Sequence, residues 1–121
     1  MVKLPLVSVV DDDESVRESL PGLLGEFGYA SKAFASAEDF LASDDFSYSD
    51  CLIVDITMPG MSGPDLHREL RRRGYDIPII FITAQRDKAA HAGGQDVVAC
   101  LFKPFSDTAL LEALNVALGT K

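Results

Sequence analysis

The chain has 121 residues, 47% of them apolar and 25% charged, and a formal charge of −8 from 11 lysines and arginines against 19 acids. That length fits one domain over residues 1–121, and the composition is that of an ordinary soluble globular protein. So acidic a chain lacks the cations that displace counterions from phosphates, which argues against direct nucleic-acid binding and against docking on an anionic membrane.

The opening "MVKLPLVSVV" carries one lysine and an interrupting Pro5, and acids follow where a cleavage site would fall. It reads as a first strand, Leu6–Val10, and not as a signal peptide. No stretch is apolar enough to span a bilayer, and the expected location is cytoplasmic. After the acids Asp11, Asp12 and Asp13, the apolar residues Val16, Leu20, Leu23, Leu24 and Phe27 share one helical face, with Gly28 where a C-cap belongs. Pro21 inside that helix removes one hydrogen bond and crowds the Arg17 carbonyl, so a bend is expected there. Ala30–Phe34 is the second strand candidate, and Ser36 with Asp39 then fits a capping box.

Leu52–Asp55, the third strand candidate, ends on an acid and is followed by "MPGMSG". Ser62 with Asp65 fits a second capping box, Leu66 and Leu70 mark a helical face, and Gly74 sits at a C-cap position. Pro78–Thr83 and Val97–Phe102 are the fourth and fifth strand candidates. The Ala- and Gly-rich "QRDKAAHAGGQDVV" between them offers a short helix, and Gly93–Gly94 a loop. Ser106 reads as the N-cap of a last helix with Leu110, Leu114 and Leu118 on one face. Cys51 and Cys100 have no metal-like spacing; two buried thiols in a cytoplasmic chain fit better than a lone disulfide. His67 lies among Arg68, Arg71, Arg72 and Arg73 and is expected on a solvated helix face, and His91 is expected to be exposed.

The alternation is (βα)₅, whose natural solution is a doubly wound α/β sheet of five parallel strands with right-handed crossovers. In such sheets the working site lies at the carboxyl ends of the strands. Asp11, Asp12 and Asp13, Asp55, Thr83 and Lys103 all end apolar runs, so the fold gathers them at one edge. Crowded carboxylates repel unless a cation relieves them, and Mg²⁺ takes one or two carboxylates with waters and phosphate oxygens. A carboxylate can also attack phosphorus and form an acyl phosphate. Asp55 is the best nucleophile candidate, with Lys103 as a point charge and Thr83 as a hydrogen-bond donor. Each residue has a plainer reading: a helix start for "DDDES", an Asx-turn for Asp55, an N-cap for Thr83 and a strand-end lysine for Lys103. Their coincidence at successive strand ends favours the site.

The pieces "VVDDDESVRESL", "LIVDITMPGMSG", "FITA" and "KPF" stand in this order along essentially the whole chain. In them the sequence resembles the receiver domain of two-component response regulators, closest in style to receivers that precede a LuxR-type helix-turn-helix. The resemblance implies the CheY-like fold, strand order 2-1-3-4-5, and Asp55 as acceptor of phosphate from a sensor histidine kinase. It implies Mg²⁺ held by Asp12, Asp55 and the Thr57 carbonyl, with Asp11 acting mainly through water. It implies Thr83 and Lys103 as contacts of the phosphoryl group, Asp13 as a helix-start residue, and a cis Lys103–Pro104 bond. A downstream output domain or effector protein would read a switch in the last two helices and the strand between them.

Two departures bear on that readout. The segment from Thr83 to Lys103 is short for the family, and Cys100 stands where an aromatic is usual. Phe102, on the same strand face as Cys100, or a shift of the short helix, is expected to carry the signal instead. A rival reading is a Mg²⁺-dependent phosphohydrolase using Asp11 as nucleophile with Asp13, and another is an unphosphorylated interaction module. The strand-three acid before "MPGMSG" and the full acid, Thr and Lys set favour the receiver.

Overall fold

The computed structural model describes residues 4–44, 46–84 and 97–119. Five strands, β1 (Leu6–Val10), β2 (Ala30–Phe34), β3 (Cys51–Asp55), β4 (Ile79–Thr83) and β5 (Val97–Phe102), form one parallel sheet in the order β2-β1-β3-β4-β5. Among the described residues the helices are α1 (Glu14–Glu26), α2 (Ala37–Ala42), α3 (Gly63–Arg72) and α4 (Asp107–Leu118), with a 3₁₀ turn at Phe46–Tyr48. Every strand matches its sequence-based expectation to within a residue. The helix expected between β4 and β5, with His91, Gly93 and Gly94, lies outside the described residues.

Parallel strands need a crossover between each pair, and the crossovers cover both sheet faces. The central strands are therefore apolar on both sides: all five residues of β3 and of β4 are buried. On one face Val10, Val54 and Phe81 pack with Phe40 of α2 and with Leu66 and Leu70 of α3. On the other, Val9, Ile53 and Ile80 pack with Leu20 and Leu24 of α1 and with Leu110 and Leu114 of α4. The edge strand β2 is only half-buried and carries Lys32, a residue that discourages pairing with another sheet. The opposite edge, β5, has a bulge: Ile79 pairs with Val97 but Ile80 with Ala99, which leaves Val98 as the extra residue. Beyond it Cys100 packs on the α2–α3 face and Leu101 on the other.

The helix starts follow their capping residues. Ser36 and Ser106 accept from the Asp39 and Ala109 N–H groups, and Ser62 and Asp65 form a reciprocal capping box. α1 continues through Pro21 without ending there. Gly28 and Gly74, at φ +93° and +88°, end α1 and α3 in the left-handed conformation.

His67 corrects the sequence reading. It is 8% exposed, its ring meets Phe81 edge-on with centroids 6.3 Å apart, and its Nε2 is buried without a hydrogen bond. The helical repeat explains this, because His67 is one turn from Gly63 and Leu70, which define the inward face of α3. The neighbouring Arg68 and Arg72 point outward and pair with Asp65 and Glu69.

Candidate functional site

The carboxyl ends of β1, β3, β4 and β5 lie side by side, and the polar residues beyond them converge. Asp11 is fully buried. Its Oδ1 accepts from the Asp13 N–H at 2.9 Å, and Arg17 Nη1 donates to its carbonyl at 3.0 Å. Asp12 is exposed at the mouth. Asp13 turns away as the N-cap of α1, its Oδ1 accepting from the Ser15 N–H at 2.9 Å and from the Ser15 hydroxyl at 2.7 Å. Those bonds from Ser15 hold the Asp13 carboxyl below its usual pKa.

Asp55 ends β3 at 7% exposure, and its Oδ1 accepts from the Thr57 N–H at 3.2 Å. Lys103 reaches across from the end of β5. Its Nζ lies 2.9 Å from Asp11 Oδ2 and 3.3 Å from Asp55 Oδ2. Thr83, 1% exposed, ends β4, and its carbonyl accepts from the Lys103 N–H at 2.8 Å, which ties the two strand ends together. The Lys103–Pro104 bond is cis.

The Lys103 ammonium contacts two carboxylates, Asp11 and Asp55, with Asp12 close to both, and the electrostatics show the imbalance. Burial first, then the Asp11 charge, push the Asp55 carboxyl up to about 6, against the pull of Lys103. Burial opposes the charge on Lys103, but Asp11 and Asp55 outweigh it and hold that ammonium above its ordinary value.

The residues present fit a divalent cation. Oxygens of Asp11, Asp12 and Asp55 lie within 4.8 Å of one another. Asp11 Oδ2 is buried and accepts no hydrogen bond, although the Lys103 charge is beside it. Lys103 offsets only part of the negative charge of these crowded carboxylates, and a hard cation bound by oxygens would relieve the rest.

The sequence-predicted residues Asp11, Asp12, Asp55, Thr83 and Lys103 thus come together, while Asp13 stands apart as the helix cap. Thr57 is exposed and meets the site through its main chain. Sequence reasoning missed Arg17 and Glu38. Glu38 Oε2 accepts from the Met61 N–H in the loop after Asp55, at 3.1 Å. An arginine or glutamate in a helix's early turns reads only as surface charge, so no local signal distinguishes them.

The family model for the response regulator receiver domain matches residues 7–115. The chain belongs to that family. It is 40% identical over 118 residues to the response regulator protein TodT of Pseudomonas putida, covering 93% of this chain and 51% of that protein. It is likewise 40% identical over 116 residues to the transcriptional regulatory protein FixJ of Rhizobium meliloti, covering 92% of this chain and 55% of FixJ. The receiver therefore spans about half the length of the curated relatives it matches. Among solved structures, FixJ-N superposes with a TM-score of 0.86 at 38% identity, covering 98% of this chain and 96% of that one. The response regulator protein TrrA of Thermotoga maritima, in complex with Mg²⁺–BeF, gives 0.84 at 30% identity, covering 95% of this receiver and 100% of TrrA. No helix among the described residues is long and apolar enough to cross a membrane.

Proposed function

We propose that Asp55 is the phosphoacceptor of this receiver, and that phosphorylation by a sensor histidine kinase switches the surface read by an output domain. The observation that carries this is the Lys103 ammonium bridging Asp11 and Asp55 at the carboxyl edge of the sheet. A carboxylate oxygen of Asp55 attacks the phosphorus, a C–O–P acyl phosphate forms, and the phosphorus–nitrogen bond of the donor phosphohistidine breaks. Lys103 already faces the acceptor, so its charge meets the negative charge that builds on the phosphoryl oxygens without reorganising. The Thr57 N–H, bonded to Asp55 Oδ1, fixes the carboxylate plane. Thr83, buried at the end of the adjacent strand, is the hydroxyl assigned to the phosphoryl group.

Asp11, Asp12 and Asp55, with the Thr57 carbonyl, would hold Mg²⁺. When bound, the metal neutralises charge on the transferring group. The likeness to TrrA, whose structure holds Mg²⁺–BeF, supports that choice of cation. The reaction is one turnover on the protein's own side chain, with later hydrolysis returning the free acid. Response regulators carry output domains, and the length of TodT and FixJ supports one here; the resemblance to receivers that precede a LuxR-type helix-turn-helix supports that kind. Phe102 or the segment between β4 and β5 would carry the signal in place of the aromatic that Cys100 replaces.

The phosphohydrolase reading is disfavoured by the same geometry. Asp11 is fully buried beneath Lys103, and Asp13 is spent on capping α1, so the pair presents no nucleophile. Incubation with acetyl phosphate and Mg²⁺ should give a base-labile adduct that mass spectrometry maps to Asp55 and that Asp55→Asn abolishes. Labelling that survives in Asp55→Asn and disappears in Asp11→Asn would favour the hydrolase.

A further inference from the structure

The loop between β3 and α3 is anchored at its two ends by main-chain hydrogen bonds. Ile56 N–H donates to the Ile82 carbonyl at 2.9 Å, and Gly63 N–H donates to the Ile56 carbonyl at 3.0 Å. Its tip is held differently. There the Met61 N–H donates to Glu38 Oε2 at 3.1 Å, and Glu38 comes from α2, 23 positions earlier in the chain. Gly60 makes this approach possible. It sits at φ +75°, and a Cβ at that position would come within 2.8 Å of the same carboxylate oxygen. The base of the latch is also fixed, because Ser36 Oγ accepts the Asp39 N–H at 3.0 Å and sets the first turn of α2.

We infer that Glu38 is a positioning residue for the phosphoacceptor site. It holds the loop so that the Thr57 main chain stays aligned with Asp55, an assignment that rests on the reading of Asp55 as phosphoacceptor. The carboxylate acts as a charge-assisted acceptor, stronger than a neutral one, on a loop tip whose own side chains are small or apolar. Loops are the mobile parts of α/β domains, and a contact from a separate helix converts such a tip into part of the rigid scaffold. Removing a group that orients a metal's ligands commonly weakens metal binding. For a single exposed bond the expected loss is about fivefold, below the roughly tenfold or greater loss usual for buried groups of that kind.

Four variants test the latch: Glu38→Ala, Glu38→Gln, Gly60→Ala, and the double change Glu38→Ala with Gly60→Ala. The readouts are Met61 amide hydrogen exchange, Mg²⁺ affinity from amide chemical-shift titration, and the rate of Asp55 labelling by acetyl phosphate. Glu38→Ala should speed Met61 exchange and weaken Mg²⁺ binding about fivefold, with slower labelling. Glu38→Gln keeps an acceptor oxygen and should restore all three to within about twofold. Glu38→Ala should cost less in the Gly60→Ala background than alone, because both changes break one contact.

Unchanged Met61 exchange and Mg²⁺ affinity in Glu38→Ala would overturn the assignment. So would Glu38→Gln behaving like Glu38→Ala, which would assign the effect to charge instead of the bond. Purely additive losses in the double variant would also overturn it. A wild-type protein that neither binds Mg²⁺ nor labels at Asp55 would defeat the phosphoacceptor reading itself, a failure visible without any variant.

Discussion

Neutralising Asp55 should stabilise the metal-free protein while removing its proposed chemistry. The Asp55 side chain is 9% exposed and its carboxyl is pushed up to about 6 from 3.8, mainly by burial and then by Asp11. A folded-state pKa above the unfolded one means that folding favours the protonated form. This contribution is fully present below the unfolded value and is lost as pH rises through about 6. At about 1.36 kcal/mol per unit, the ionised Asp55 costs roughly 3 kcal/mol at neutral pH relative to the protonated acid. Asparagine has the same shape without the charge. It forfeits the 3.3 Å contact to Lys103 but leaves the 2.9 Å contact between Lys103 and Asp11 in place. The expected net gain for Asp55→Asn is therefore about 1–3 kcal/mol at pH 7.5, shrinking toward zero near pH 4. Urea unfolding followed by far-ultraviolet circular dichroism, in EDTA at both pH values, measures the difference. Millimolar Mg²⁺ should then narrow the gap, because the cation stabilises the wild type by relieving the same repulsion. A variant less stable than the wild type at pH 7.5, or a gap independent of pH, would refute the claim that crowded carboxylates strain this site.

Gly63→Ala should destabilise the fold by about 2–3 kcal/mol in the same unfolding assay, because overpacking against fixed atoms forces backbone shifts. A Cβ there would meet the Asp55 carbonyl oxygen at 2.5 Å and Ile56 Cα at 3.1 Å, both main-chain atoms that cannot swing away. The two thiols should differ in reactivity: burial pushes Cys51 up to about 12, while Cys100 is half-buried and raised less. Iodoacetamide at pH 8, read by peptide mass spectrometry, should modify Cys100 well before Cys51, and equal rates would contradict the packing of β3.

The amino-acid sequence by itself determined the five strands, the helix starts and the edge of the sheet where the site lies. Those features are local or periodic. Runs such as Ile79–Thr83 have little alternative to a doubly covered strand, and Ser62 with Asp65 caps a helix through atoms three residues apart. The acids, Thr83 and Lys103 could be gathered in advance because strand ends in this topology share one edge. Only the tertiary structure decided what depends on which surfaces meet. His67 is surrounded in sequence by arginines, yet the phase of α3 against the sheet buries it on Phe81. Glu38 and Met61 meet because α2 and the loop after β3 lie side by side at one sheet edge, a proximity that no spacing along the chain encodes. The extra residue at Val98 likewise arises from how β5 pairs with β4, and it sets which face Cys100 occupies. The division between Asp11 and Asp55 is also tertiary. Both end apolar strands, but the Lys103 side chain lies over both, with Asp11 fully buried and Asp55 at 7% exposure, and that burial with the Asp11 charge raises the Asp55 carboxyl.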